Sequence, residues 1–513
     1  MIISLKFTHL MDGESMQKRT KIVATVGPSS DSVEVLSQMI HSGVNVFRLN
    51  FSHGTHDYHS KVLANIRSSM NKTGLIVGIL QDISGPKIRI GVLKEEFHLH
   101  PKDRLDFYRD PIEGERIGEH HYTVSINENS ILDLLNVGDS IYLHDGNIRA
   151  RIVSCEDRFV QAEIENNGKL NSRKGINFPN TRLGIDILTA KDREDMAWGV
   201  ANGVDFMAIS FVQNGLDMIR AREIVRSLGG EVQLFAKIEK FDAVENIDDI
   251  LEHSDGLMVA RGDLGIEVPY YQVPTIQKML IRKANERSKP VITATQMLLS
   301  MTQNETATRA EISDVANAVL DGTDAVMLSE ESAVGDNPIL VVETMVNTIQ
   351  SIEEIYPFDK FSEFIPHDPM DIINESAVRL GDALHAVGII AMTTSGQSAK
   401  KLARYRPEMT IYAATHDERV ARLLTLVWGV IPAYLTKKAK LEEMLSDIIS
   451  RGLARNIIDK TQTYIFTAGD PVGVQGTTNL IRILREHEIS FFGASKVSSS
   501  KSKKVHEIIP SLF

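Results

Sequence analysis

Eight short runs, each opening on apolar or β-branched residues and closing on polar or charged ones, recur at residues 21–27, 45–51, 78–83, 205–211, 233–239, 256–262, 290–296 and 325–331. Stretches with helical patterning lie between them, among them 214–228, 270–287 and 305–320. Eight strands alternating with helices predict a (β/α)8 barrel. The polar closures fit that reading, because the C-terminal face of such a barrel carries its active site.

One connection breaks the rhythm. More than a hundred residues separate Ile83 from Asp205, too many for one loop. Within them, residues 97–175 hold strand-like runs (SIYLHD, ARIVSC, FVQAEIE) split by Gly, Asp and Asn. This predicts a small β domain inserted after the third barrel strand. A second alternation, at 388–393, 410–414, 430–434 and 463–467, predicts a further α/β domain with a largely parallel sheet. The expected division is an N-terminal extension (1–18), a barrel in two parts (19–89 and 188–357), the β insertion (90–187), the C-terminal α/β domain (358–486) and a Ser/Lys-rich tail (487–513). A chain of 513 residues is in any case too long for one core.

Composition narrows the function. The net charge of −12 argues against a nucleic-acid partner, although a few well-placed Arg and Lys can still build a local phosphate site. The single cysteine, Cys155, allows no internal disulfide and fits a reducing compartment. The longest apolar runs are far too short to span a membrane. The first residues, with further methionines at Met11 and Met16, do not read as a signal peptide. A cytoplasmic enzyme is expected.

The chemistry concentrates at strand ends. Lys237 and Glu239, two apart in FAKIEK, share one face of a strand; taken alone, a buried ion pair and a site are equal readings. The next run closes on Arg261-Gly262-Asp263, and the one after on Thr295, which alone would more often be a helix cap. Glu239 and Asp263 on adjacent strands suit Mg2+ or Mn2+, which take few protein ligands and keep positions open. The second run brings Arg48, Asn50 and Ser52 to one parity. The third ends at Asp82 and Ile83 and leads through Gly85-Pro86 and Lys87 to Arg89. A tight turn would explain Gly85-Pro86 as well. Arginine forks bind paired phosphate oxygens, and cations around such oxygens are what phosphoryl transfer needs.

The runs RTKIVATVGPSS, NVFRLNFSHGTHDYH, GPKIR, KIE, MVARGDLG, TATQML and DAVMLSEESAVGDNP, in this order, closely resemble pyruvate kinase motifs, and the similarity extends from about Arg19 to about Leu484. The resemblance implies a barrel active site, the inserted domain as a small β-barrel lid, and a regulatory C-terminal domain in a homotetramer. It implies phosphoenolpyruvate and ADP as substrates and ATP and pyruvate as products. By motif, Lys237 would lie against the transferring phosphoryl group and Glu239 and Asp263 would hold the divalent ion. Ala260, Arg261, Gly262 and Thr295 would position the substrate carboxylate, and Arg48 and Arg89 would bind phosphates. Asn50, His53, Tyr58 and Lys191 match nucleotide neighbours, while Ser329 and Glu331 match a polar pair near the site. Thr393, Thr394, Ser395, Gly396 and Ser398 match the loop that holds a phosphorylated effector, with residues 469–478 as its partner loop. Asn50, Ser52, Asp82 and Ile83 match the monovalent-cation site. Many family members need K+ and carry Glu where this chain has Lys87. The changes at Ile83, Ser84, Lys87 and Ile90 are those of K+-independent members, so Lys87 is expected to substitute for the cation. Two other classes remain open on residues alone: another barrel enzyme of pyruvate enolates, and a catalytically dead sugar-phosphate sensor.

Overall fold

The computed structural model describes residues 18–494 apart from 145, 180, 182–185, 362, 435–439, 472–475 and 477. The extension up to residue 17, the tail from residue 495 and most of the 469–478 loop's centre therefore lie outside the described residues.

The eight expected strands form one closed parallel barrel: Lys21–Thr25, Val46–Asn50, Gly78–Asp82, Phe206–Ile209, Gln233–Ile238, Gly256–Ala260, Val291–Ala294 and Ala325–Leu328, each hydrogen-bonded to its neighbours in chain order, with the eighth against the first. The strands are buried on both faces, which is why they read as unbroken apolar runs. Inside, Val23, Val46, Leu80, Phe206, Phe235, Met258 and Ile292 fill the barrel. Outside, a larger apolar layer packs the strands against the helices.

Helix boundaries differ from the sequence expectation where local chemistry overrides periodicity. The third expected helix starts at Arg309, because Thr308 and Glu311 form a reciprocal capping box. The stretch 270–287 is a 3-10 turn, Tyr270–Gln272, followed by the helix Val273–Glu286 with Pro274 in its first turn.

After the third strand the chain leaves the barrel and builds a seven-stranded sheet and a two-stranded ladder, Phe97–Leu99 with Gly168–Leu170. They enclose a separate apolar core that includes Leu105, Phe107, Ile141, Ile148 and Val160. The outgoing and returning chains run side by side, bridged at Arg89 and Gly175, so the insertion connects the end of the third strand to the helix Ala190–Asn202 that precedes the fourth.

The C-terminal domain is a five-stranded sheet in the order Val430–Tyr434, Thr410–Thr415, Gly388–Met392, Tyr464–Gly469, Thr478–Leu484. Four strands are parallel as expected. The fifth, absent from the sequence reading, is antiparallel. This domain caps the opposite end of the barrel. Leu423 and Leu426 join the barrel's interior core, and a Cβ at Gly78 would meet Thr425 Oγ1 at 2.8 Å, so the approach is close. Polar clamps hold the seam: Arg422 Nε to Asp205 Oδ1 at 2.8 Å, Arg406 to Asp324 Oδ2 at 3.0 Å, and Lys21 Nζ to the Val430 carbonyl at 2.8 Å.

Candidate active site

Lys237, near the end of the fifth strand, is the centre of the cluster. Its Nζ lies 2.9 Å from Glu239 Oε1 and 3.1 Å from Asp82 Oδ1, and donates to Ser210 Oγ at 2.6 Å. Arg48 holds the other oxygen of Asp82 through Nε at 2.7 Å and reaches Thr25 Oγ1 at 2.9 Å. Glu239 Oε2 accepts the Phe211 N–H at 2.7 Å. Five strand ends thus feed one charged network, and the parity expected for Lys237 and Glu239 is realised as a direct ion pair.

Burial alone would lower the Lys237 ammonium, but Asp82 and then Glu239 outweigh it and raise it above the ordinary lysine value. Burial would raise Asp82, yet Lys237 and Arg48 hold it below the usual carboxylate range. Glu239 is pushed up, first by burial and then by Asp263, with Lys237 opposing. These directions are compatible. One ammonium faces two carboxylates, Asp82 takes the larger share of it, and Glu239 is left facing Asp263.

Asp263 does not end a strand. The sixth strand stops at Ala260 and a short helix, Arg261–Glu267, begins at once, placing Asp263 in its first turn. Glu239 and Asp263 open together onto a cleft that Pro86, Lys87 and Ile88 line from the outgoing chain and Ile176, Asn177 and Phe178 from the returning one. The cleft therefore lies between barrel and insertion. Two like-charged carboxylates side by side, one with its pKa raised, are a donor set that a divalent cation fits.

Arg261 turns away from the cleft. Its guanidinium donates to the Ala294 and Thr295 carbonyls at 3.2 and 2.6 Å and to Asp314 at 2.8 Å, so it ties the helix to the seventh strand's end. Thr295 and Gln296 have φ of 72° and 56°, rare for residues with a side chain. In that conformation Thr295 Oγ1 accepts the Gly262 N–H at 2.8 Å, which leaves its own proton to donate into the site. Glu331 braces the same turn by accepting from the Ser329 N–H at 2.7 Å and the Leu298 N–H at 3.2 Å.

The remaining expected residues surround this centre at different depths. Asn50 Oδ1 accepts the Ser52 N–H at 3.2 Å. Ile83 is buried, and its carbonyl takes the Ser210 hydroxyl at 2.6 Å. His53 is exposed, with its carbonyl bound to His59. The Tyr58 hydroxyl is buried without a partner among the described residues. Lys191 Nζ bridges the Phe51 carbonyl and Asp195 at 2.9 and 2.6 Å, beside the second strand's end. Arg89 and Lys87 are exposed at the base of the insertion. Arg89 donates to the Arg173 carbonyl at 3.0 Å, and Lys87 makes no ion pair among the described residues. Thr393 to Ser398 lie far from this centre, in the C-terminal domain. There Thr393 Oγ1 accepts the Gly396 N–H at 2.9 Å, and Ser398 bonds Thr478 at 2.6 Å.

Ser210 and Thr25 were not singled out in the sequence. Each is a polar residue near the end of an otherwise apolar run, and that was the available signal. Neither the reach of Arg261 to Asp314 nor the left-handed turn at Thr295 leaves a local trace.

A closed parallel barrel with a caged lysine, a buried arginine and paired carboxylates at its strand ends, under an inserted β domain, defines a (β/α)8-barrel enzyme built around an anionic substrate. The family described as "Pyruvate kinase, barrel domain" matches residues 17–342, and "Pyruvate kinase, alpha/beta domain" matches residues 371–484. A pyruvate kinase of Agrobacterium vitis is 41% identical over 478 residues, covering 91% of this chain and 98% of that one. One from Geobacillus stearothermophilus is 40% identical over 476 residues, covering 91% and 80%. A crystal structure of a pyruvate kinase from Cryptosporidium parvum superposes with a TM-score of 0.86 at 34% identity, over 91% of this chain and 96% of that one. The chain belongs to the pyruvate kinase family.

Proposed function

We propose that this enzyme transfers the phosphoryl group of phosphoenolpyruvate to ADP, giving ATP and pyruvate. The observation that carries the reading is Lys237, held charged at 3.1 and 2.9 Å from Asp82 and Glu239 beside a cleft. A phosphoryl group entering between Lys237, Arg48 and Arg89 meets fixed positive charge without reorganisation. Glu239 and Asp263 would hold a divalent cation, which would supply Lewis-acid polarisation of the substrate. The bond from the enol oxygen to phosphorus breaks while an ADP β-phosphate oxygen bonds to the same phosphorus. Lys237 stabilises the negative charge left on the enol oxygen. The resulting enolate takes a proton at carbon to become pyruvate, with the Thr295 hydroxyl, through water, as a relay. Ala260, Gly262 and Thr295 orient the substrate carboxylate, and Asn50, His53, Tyr58 and Lys191 border the nucleotide. Formation of ATP and pyruvate in a coupled assay supplied with phosphoenolpyruvate, ADP and Mg2+ tests the reading. Absence of both products would sink it.

Two finer features belong to the same proposal. Catalysis does not require K+: both oxygens of Asp82 are already occupied by cations, and Lys87 adds positive charge at the cleft rim. The enzyme is a cytoplasmic homotetramer, activated by a phosphorylated sugar or nucleoside monophosphate at the loop Thr393, Thr394, Ser395, Gly396 and Ser398. The Ser398–Thr478 contact, which joins that loop to its partner strand, supports the regulatory reading. Among the described residues no helix is long and apolar enough to cross a membrane.

A further inference from the structure

On the barrel's opposite face, where it meets the C-terminal domain, lies a second cleft of about 460 Å3, open to solvent. Its lining includes Arg222, Arg226, Arg287, Lys289 and Lys400 against Glu223, Glu252 and Asp255, a local excess of positive charge in a chain of net charge −12. The distribution of partners is uneven. Arg222 pairs with Asp255 at 2.8 Å and Arg287 with Asp248 at 2.9 Å. Arg226, Lys289 and Lys400 have no carboxylate at ion-pair distance among the described residues.

Lys400 is the most unusual of these. It is 6% exposed, and its ammonium finds only a neutral acceptor, Gln233 Oε1 at 3.1 Å. Among the described residues Lys289 donates to backbone carbonyls alone, those of Leu251, Glu252 and Ser254. The Ser254 hydroxyl, also on the lining, is buried without a hydrogen-bond partner among the described residues. Burying an ammonium against a neutral amide is unfavourable, and so is leaving a buried hydroxyl unpaired. Burial lowers Lys400 and brings Lys289 down to about 8, the direction expected of cations that lack an anion. A ligand that is small, doubly charged and rich in acceptors would satisfy all of these groups together.

We propose that this cleft binds a phosphate dianion, free or as a small phosphomonoester, between Arg226, Lys289 and Lys400. The site is separate from the catalytic cleft and borders the Thr393–Ser398 loop through Gln397, but the proposal does not rest on the reading of either. Its position has a mechanical consequence. Lys400 belongs to the helix Gln397–Ala403 of the C-terminal domain, and Gln233 opens the barrel strand that ends near Lys237. Occupancy would bridge the two domains at the root of the catalytic strand.

Titration calorimetry with inorganic phosphate, and in parallel with glycerol 3-phosphate, tests this on wild type and on Arg226→Ala, Lys400→Gln and Ser398→Ala. Arg226 is exposed on its helix, so its variant folds even if the buried Lys400→Gln does not. The expected result is a saturable binding component that weakens about ten-fold or more in Arg226→Ala and persists in Ser398→Ala, where only a component belonging to the effector loop is lost. Tighter binding of glycerol 3-phosphate identifies a phosphomonoester as the ligand, and tighter inorganic phosphate identifies the free ion. Phosphate affinity that is unchanged in Arg226→Ala, or lost only in Ser398→Ala, overturns the proposal.

Discussion

Asp82 meets two cations at once, Arg48 through Oδ2 at 2.7 Å and Lys237 through Oδ1 at 3.1 Å. A further cation at its side would add charge that the site already has, which is the physical reason for expecting turnover without K+. Lys87 stands at the rim of the same cleft. In buffer with only a bulky organic monovalent cation, wild type should run at nearly its full rate, and Lys87→Glu should gain activity several-fold when KCl is added at constant ionic strength. A many-fold K+ activation of wild type would contradict the charge argument. At this scale the sequence was informative wherever a charged residue closes an apolar run, as at Arg48, Asp82, Lys237 and Glu239. It singled out Arg261 but was silent on its reach to Thr295 and Asp314, 34 and 53 residues away, and on the left-handed backbone at Thr295. Both depend on tertiary contacts that no local pattern records.

Elements fold together here through their ends. The segment from the helix Glu418–Leu424 to Leu426 closes the base of the barrel, with Leu426 fully buried in the barrel's interior core. Leu426→Ala should cost about 2–5 kcal/mol in denaturant unfolding; a loss under about 1 kcal/mol would mean that the base is not sealed this way. Lys21, on the first strand, is 6% exposed at the same seam. Burial pushes it down to about 8 from the ordinary 10.5, against the opposing pull of Glu353 and Asp324. Below pH 8 both folded and unfolded chains carry the proton, and the folded state bears the full cost of the buried charge. Between about pH 8 and 10.5 only the unfolded chain still holds the proton, so stability rises with pH by up to roughly 1.4 kcal/mol per unit. Lys21→Met should lose that rise; an identical pH profile would show that Lys21 keeps its ordinary pKa. The eight barrel strands were readable because both faces are buried and the apolar run is continuous. The antiparallel strand Thr478–Leu484 was not, because its exposed and half-buried positions blur the apolar signal.

For the whole molecule, the catalytic cleft exists only where barrel and insertion meet, with Glu239 and Asp263 on one wall and Asn177 and Phe178 on the other. Across this closure Asn177 Nδ2 donates to Glu267 Oε1 at 3.4 Å. The carboxylate pair gives a metal prediction. Asp263→Asn and Glu239→Gln should each raise the Mg2+ concentration needed for half-maximal activity ten-fold or more, and excess chelator should stop wild type; full activity in chelator would remove the metal from the account. The central claim is that Lys237 supplies charge to the transition state rather than to substrate binding. Its most direct test compares Lys237→Met with wild type in steady-state turnover and in equilibrium phosphoenolpyruvate binding. The account predicts kcat reduced by orders of magnitude with binding within a few-fold of wild type. A kcat within a few-fold of wild type would contradict it.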